Sequence, residues 1–172
     1  QKTYLCIDLK SFYASVECVE LGLDPFKVNL VVADPTRGGG AITLAATPAI
    51  KKLGVSSRGR IFEIDPKIEY MIAPPRMHLY MEYSCKVYKV FLEFIAKEDI
   101  HVYSIDESFL DVTSYLKLYQ VNAKELAKKM LDRIYEKTGL TATVGIGTNL
   151  YLAKIAMDIS AKHNADRMAY LN

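Results

Sequence analysis

Three carboxylates stand where they could hold a divalent cation. Asp8 closes an apolar run, Tyr4-Leu5-Cys6-Ile7, that reads as a buried strand. Asp106 and Glu107 lie between two strand-like runs, residues 100–105 and 108–112. So short a spacing predicts a tight hairpin with the acid pair at its tip. Asn-Gly or Asp-Gly is the relaxed choice for such a turn. An Asp-Glu pair there breaks a local rule at a charged place, which points toward function. If the first strand lies beside the hairpin, all three acids converge at one sheet edge. Like charges a few ångströms apart repel, and a divalent cation removes that cost. Hard oxygen donors suit Mg²⁺, which takes few carboxylates and completes its shell with substrate phosphates. Two such ions stabilise both the attacking and the leaving oxygen in phosphoryl transfer. The simpler reading of an Asp-Glu turn is a solvated loop tip.

Other residue types could serve the same chemistry. Phe12 and Tyr13 follow Asp8 at the start of a helix, where backbone N–H groups can receive phosphate oxygens. A Tyr ring there can pack under a sugar; on spacing alone both rings serve equally well in a core. Lys51 and Lys52 on a short helix, and Lys154 and Lys162 on the last helix, are candidates for a triphosphate. Each alone reads as a solvated surface lysine. Gly145-Ile146-Gly147 has no third glycine in register and no following Lys-Ser/Thr, so it reads as a strand end rather than a nucleotide loop. Cys6, Cys18 and Cys85, and His78, His101 and His163, are isolated and form no zinc pattern. The cysteines read as reduced core thiols.

The elements that must position these residues follow from pattern and punctuation. Strands are expected at residues 3–8, 28–33 and 41–46, with a helix over 10–21 ended by Gly22 and Pro25. Thr47-Pro48 reads as the cap and first residue of a short helix to Leu53. A long helix is expected over 77–96, then the acidic hairpin. A helix over 123–138 is ended by Gly139, a strand follows at 140–146, and a last helix spans 149–162. This order predicts an α+β fold: an antiparallel-containing sheet with helices on one face, and residues 22–75 inserted as a small lobe.

The bulk numbers set bounds. A chain of 172 residues, 51% of them hydrophobic, supports one domain with a small lobe attached. The net charge of +2 neither supports nor excludes nucleic-acid binding. No apolar stretch approaches a membrane span, and no signal peptide is expected. Gln1 in place of Met suggests a trimmed start.

Taken together the motifs resemble those of Y-family (translesion) DNA polymerases of the bacterial UmuC/DinB-like kind. Ile7-Asp8-Leu9-Lys10-Ser11-Phe12-Tyr13-Ala14-Ser15-Val16-Glu17 is similar to the family's first acidic motif. Ser104-Ile105-Asp106-Glu107-Ser108-Phe109-Leu110-Asp111 is similar to the second. Thr143-Val144-Gly145-Ile146-Gly147-Thr148-Asn149, with Leu152-Ala153-Lys154-Ile155-Ala156, is similar to a third. The order and spacing also match, over essentially the whole chain.

The resemblance implies a ferredoxin-like polymerase palm (residues 1–21 and 76–172) with an inserted fingers lobe (22–75). It implies attack of a primer 3′-hydroxyl on the α-phosphate of a dNTP opposite a damaged template. Asp8, Asp106 and Glu107, with the Leu9 backbone carbonyl, would hold two Mg²⁺ ions, for which Mn²⁺ can substitute. Ser11, Phe12 and Tyr13 would meet the nucleotide, with Tyr13 as a steric gate against a ribose 2′-hydroxyl. Lys51 and Lys162 would neutralise the triphosphate. Two departures stand out. Where many members place Thr, Tyr and Arg in the fingers, this chain has Ala45, Pro48 and Lys51, and only the last keeps a charge. The stretch from Ala45 to Ala49 is closer to the UmuC-type branch of Gram-positive bacteria. One extra residue also separates Lys154 from Lys162, a rotation of about 100° on a helix, which makes Lys154 the alternative.

The expected partners are damaged primer-template DNA, dNTP and a sliding clamp reached through regions outside these residues, without a membrane. The expected setting is the bacterial cytoplasm, within the SOS response. Thumb and little-finger domains are expected outside this stretch, leaving weak or no polymerase activity in these residues alone. A palm-type nucleotide cyclase and an inactive palm serving as a binding module are the alternatives.

Overall fold

The computed structural model describes residues 1–160 and 168–171. In chain order the elements are β1 (Tyr4–Leu9), α1 (Phe12–Glu20), β2 (Leu30–Val32), β3 (Ala45–Ala46), α2 (Pro48–Lys51), β4 (Met71–Ala73) and α3 (Met77–Phe94). Then come β5 (Ile100–Ser104), β6 (Glu107–Asp111), α4 (Thr113–Leu118), α5 (Ala123–Thr138), β7 (Ala142–Gly147), α6 (Leu150–Ile155) and β8 (Met168–Leu171). The chain divides into two compact units: residues 1–9 with 84–172, and residues 10–83.

The first unit is a five-stranded sheet in the order β5-β6-β1-β7-β8. β1 is central and antiparallel to both β6 and β7, and β8 runs parallel to β7. Strand alternation puts Leu5, Ile7 and Leu9 on one face and Tyr4, Cys6 and Asp8 on the other. Ile7, Leu9 and Ser108 line a cleft with Val87, Tyr88 and Phe91, so α3 covers the first face. α5 is tied to α3 by Arg133 and Glu93, 2.8 Å apart. It buries Leu126, Met130 and Ile134 at helical spacing. An Asn122–Glu125 capping box opens it and Gly139, at φ 75°, closes it.

The two long helices thus share a face, and the shorter α6 takes the other. A Cβ added at Gly145 would lie 2.0 Å from the Ala153 carbonyl oxygen; one at Gly147 would lie 2.5 Å from the Ala153 nitrogen. The glycines let the helix backbone rest directly on the strand. Cys6, Phe109, Ala153 and Met157 form the small core between them.

The hairpin differs from expectation. β5 ends at Ser104 and β6 begins at Glu107, so the turn is Ile105-Asp106. Glu107 lies inside the ladder, paired to Ser104 on one side and Asp8 on the other. A register shift between Val102 and Ser104 absorbs the extra residue as a bulge. Two bonds fix the turn: Leu9 N–H donates to the Asp106 carbonyl (2.8 Å) and Ser84 Oγ to the Ile105 carbonyl (2.6 Å).

The last helix also differs. α6 stops at Ile155 and continues as a π-helical turn over Ala156–Ser160. Lys162, expected on that helix, lies outside the described residues. α4 and β8 were not expected; six and four residues are too short to show a decisive period.

The second unit holds a three-stranded sheet in the order β3-β2-β4, with β3 antiparallel and β4 parallel to the central β2. Val31, Ala46, Ile50 and Ile64 form its core. Thr47 is the expected cap: Oγ1 accepts from Ile50 N–H and Leu30 N–H and donates to the Val28 carbonyl, which pins α2 to β2. β3 is only Ala45–Ala46 rather than 41–46, with Ile42 and Leu44 about half exposed before it. The helix α1 groups with these residues. Its buried Glu17 accepts from Arg76 (2.5 Å) and from the Tyr80 hydroxyl (2.6 Å), and Glu20 accepts from the Tyr83 hydroxyl (2.6 Å). Among the described residues no helix is long and apolar enough to cross a membrane.

Candidate functional site

Where β1 ends and β6 begins, the β1–β6 register sets Asp8 directly opposite Glu107. Cross-strand partners point to the same face, so the two carboxylates are neighbours. Asp106 is the adjacent turn residue, and its Oδ1 accepts from Ser104 Oγ at 2.9 Å. The three acids therefore gather at one end of the sheet's strands, with β1 central rather than at a lateral edge.

This corner is partly desolvated and charged. Glu107 is only 9% exposed. Its Oε1 receives Lys154 Nζ at 2.5 Å, and Cys6 Sγ lies 3.8 Å from the same oxygen. Lys154 also lies 3.5 Å from Asp158 and 5.8 Å from the centre of the Tyr103 ring. Burial pulls the Lys154 ammonium down, but the hydrogen bond and charge of Glu107, then Asp158, outweigh it and hold it above its ordinary range. Burial first, then the charge of Glu107, pushes the Cys6 thiol far up, so it stays protonated and donates.

The donor set suits a hard divalent ion. On the far side of Asp8 stands its β7 partner Thr143, whose hydroxyl is buried with no hydrogen-bond partner among the described residues. Two carboxylates face each other beside this orphaned oxygen, and carboxylate and hydroxyl oxygens are the ligands Mg²⁺ takes. As they stand, no three acid, His or Cys side chains among the described residues are arranged to hold an ion. Lys154 occupies Glu107 instead.

The second unit assembles a different group. Ser11 precedes α1 in a left-handed conformation (φ 46°, ψ 51°), a strained state for a residue with a Cβ. Ser15 holds it there: Ser15 N–H donates to the Ser11 carbonyl (2.8 Å) and Ser15 Oγ to the Lys10 carbonyl (2.7 Å). Lys51, forty positions along, donates from Nζ to Ser11 Oγ at 3.0 Å. Phe12 is buried, whereas Tyr13 is half-buried and stacks on Tyr80 with centroids 4.4 Å apart. Ala45 and Pro48 are buried and carry no charge to offer.

Of the residues singled out by sequence, Asp8 and Glu107 come together in the first unit, and Asp106 stands in the adjoining turn, lining the cleft with Ile7 and Leu9. Ser11 and Lys51 come together in the second, and Phe12 and Tyr13 share its aromatic cluster with Tyr80. Sequence reasoning missed three supports. The spacing of Lys154 and Asp158 shows a shared helix face but not its partner Glu107. Nothing in the sequence marks Ser84 as a turn support. Glu17, Arg76 and Tyr80 are too far apart in the chain to be read as a network.

The impB/mucB/samB family profile (IMS) matches residues 7–158. UvrX of Bacillus subtilis (strain 168), a protein named for UV-damage repair, is 40% identical over 172 residues, covering 98% of this chain and 39% of the relative. DNA polymerase IV 2 of the same organism is 39% identical over 168 residues, covering 95% of this chain and 39% of that one. The solved insertion ternary complex of Dbh DNA polymerase superposes with a TM-score of 0.81 at 28% identity, covering 99% of this chain and 48% of that one. The chain therefore spans about two fifths of the length of the curated relatives it matches.

Proposed function

The chain belongs to the impB/mucB/samB family of Y-family DNA polymerases, and on that premise we propose that it supplies the palm and fingers of a translesion polymerase. The observation that carries this is the opposition of Asp8 and Glu107 across β1 and β6, with Asp106 in the adjoining turn. Asp8, Asp106, Glu107 and the Leu9 carbonyl would hold the catalytic ions. Two Mg²⁺ ions, when bound, neutralise the triphosphate and stabilise the attacking and leaving oxygens. The chain's own part is positioning and a fixed electrostatic field, without a covalent intermediate.

In this reading the first unit carries the palm sheet and residues 22–75 act as fingers. Tyr13 excludes a ribose 2′-hydroxyl, and Phe12 supports it from the core. The Tyr80 ring beneath Tyr13 keeps the gate from folding away. Ser11 and Lys51 receive the triphosphate, because a hydroxyl and an ammonium 3.0 Å apart can share one phosphate oxygen. Lys162 or Lys154 adds positive charge from the palm. Damaged primer-template DNA and dNTP are the substrates, and a sliding clamp is reached through the rest of the protein. Support for the substrates comes from the solved relative, which was captured as an insertion ternary complex. Work in the bacterial cytoplasm within the SOS response belongs to the same proposal.

The test is dNTP binding to this chain in Mn²⁺, compared with Asp106→Ala. Metal-dependent binding that the substitution abolishes is expected. Binding that survives it unchanged would remove the acid corner from the reaction.

A further inference from the structure

We propose that Lys154 is the resident counter-ion of Glu107 in the metal-free protein, that a divalent ion must displace it, and that Asp158 receives it when it leaves. The inference rests on the polymerase reading of the acid corner and goes beyond it. It assigns Lys154 a positioning role that sets metal affinity.

The need for such a cation is electrostatic. Glu107 is nearly buried and faces Asp8, a like charge in the closest cross-strand position. A buried carboxylate without a partner is strongly unfavourable. Among the described residues, the compensating groups at Glu107 are the Lys154 ammonium at 2.5 Å and the weak Cys6 S–H donor at 3.8 Å. Lys154 contacts Oε1 of the carboxylate that a metal ion would also draw on. An ammonium held 2.5 Å from that oxygen repels a divalent ion brought to the same carboxylate, so the two compete.

The fold keeps Lys154 in place. Its neighbour Ala153 lies on the strand so closely that a Cβ at Gly145 would be 2.0 Å from the Ala153 carbonyl oxygen. That approach fixes α6 over the face carrying Cys6, Asp8 and Glu107. A second station is also present. Asp158 is one helical turn on, with its Oδ2 3.5 Å from Lys154 Nζ, and it is far more exposed than Glu107. The Tyr103 ring, 5.8 Å away, offers a π face to the ammonium where it stands. A rotamer change is therefore enough to move the charge from Glu107 to Asp158.

The experiment is Mn²⁺ affinity of the 172-residue chain, read from the free-ion signal in electron paramagnetic resonance. Lys154→Met removes the competitor and is expected to bind Mn²⁺ about fivefold more tightly, the equivalent of about 1 kcal/mol. Lys154→Arg keeps the charge and is expected to bind as the unsubstituted chain does. A Met variant that binds equally or more weakly, with the Asp106 dependence intact, overturns the inference. Loss of the Asp106 dependence itself overturns the polymerase reading instead. A measurement on the unsubstituted chain guards against a misfolded variant. The Lys154 ammonium protons should exchange slowly without metal and quickly at saturating Mg²⁺. Unchanged exchange overturns the inference.

Discussion

Tyr13 shows how a side chain's neighbours select among its uses. On spacing it serves a core and a nucleotide site equally well. Its stacking on Tyr80, with rings only 14° from parallel, leaves it half-buried rather than enclosed. If Tyr13 is the gate, Tyr13→Ala should cut the preference for dNTP over rNTP by roughly tenfold or more, because a steric clash built against the wrong sugar is lost. Competitive binding of the two nucleotides to the chain measures it. Tyr83 carries a pH prediction. Burial first, then its bond to Glu20, raises its pKa from 10 to about 12. The folded state therefore favours the protonated phenol. That contribution is whole below pH 10 and is lost as pH rises toward 12. Alkaline unfolding followed by circular dichroism should lose this component of its pH dependence in Tyr83→Phe. At this scale Asp8 was legible because it closes an apolar strand. Glu107 was legible as an acid but not as a buried one, since a bulge placed it inside the ladder.

Among the elements, β7 and α6 depend on each other most directly. Gly145-Ile146-Gly147 reads as a strand end, and β7 does end at Gly147. The reason for glycine lies across the interface, in backbone atoms of α6 and the turn after it. Gly145→Ala should cost about 3 kcal/mol or more, because the new Cβ meets backbone that cannot rotate away. Urea unfolding would show it as a lower midpoint. α5 was the most legible element: its capping box, apolar stripe and closing glycine are all local signals. β4 and β8 were illegible because three or four residues show no period, and both pair with strands remote in sequence.

For the whole molecule, the separation into two units makes a prediction about ligands. The acids and Lys154 belong to the sheet unit, whereas Ser11, Tyr13 and Lys51 belong to the other. Mg²⁺ alone should slow amide hydrogen exchange in β1 and β6 and leave β2 to β4 unchanged. Adding dNTP should extend protection to α1 and α2. Exchange read by mass spectrometry checks both, and metal protection centred on β2 to β4 would contradict the site.

The chain by itself determined its longer helices α1, α3 and α5, the strands β1, β2, β5, β6 and β7, and the identity of the acidic residues. These follow from periodicity, capping and turn chemistry, which act over a few residues. Family membership was legible for the same reason, because the motifs are contiguous. Only the tertiary structure decided that Glu107 is buried opposite Asp8, that Lys154 neutralises it and that Lys51 meets Ser11. Those pairings span 40 to 99 residues, and register, bulges and close backbone approach set them. No local pattern in the sequence encodes which charge will be left without water, and burial is what gives Glu107 its partner.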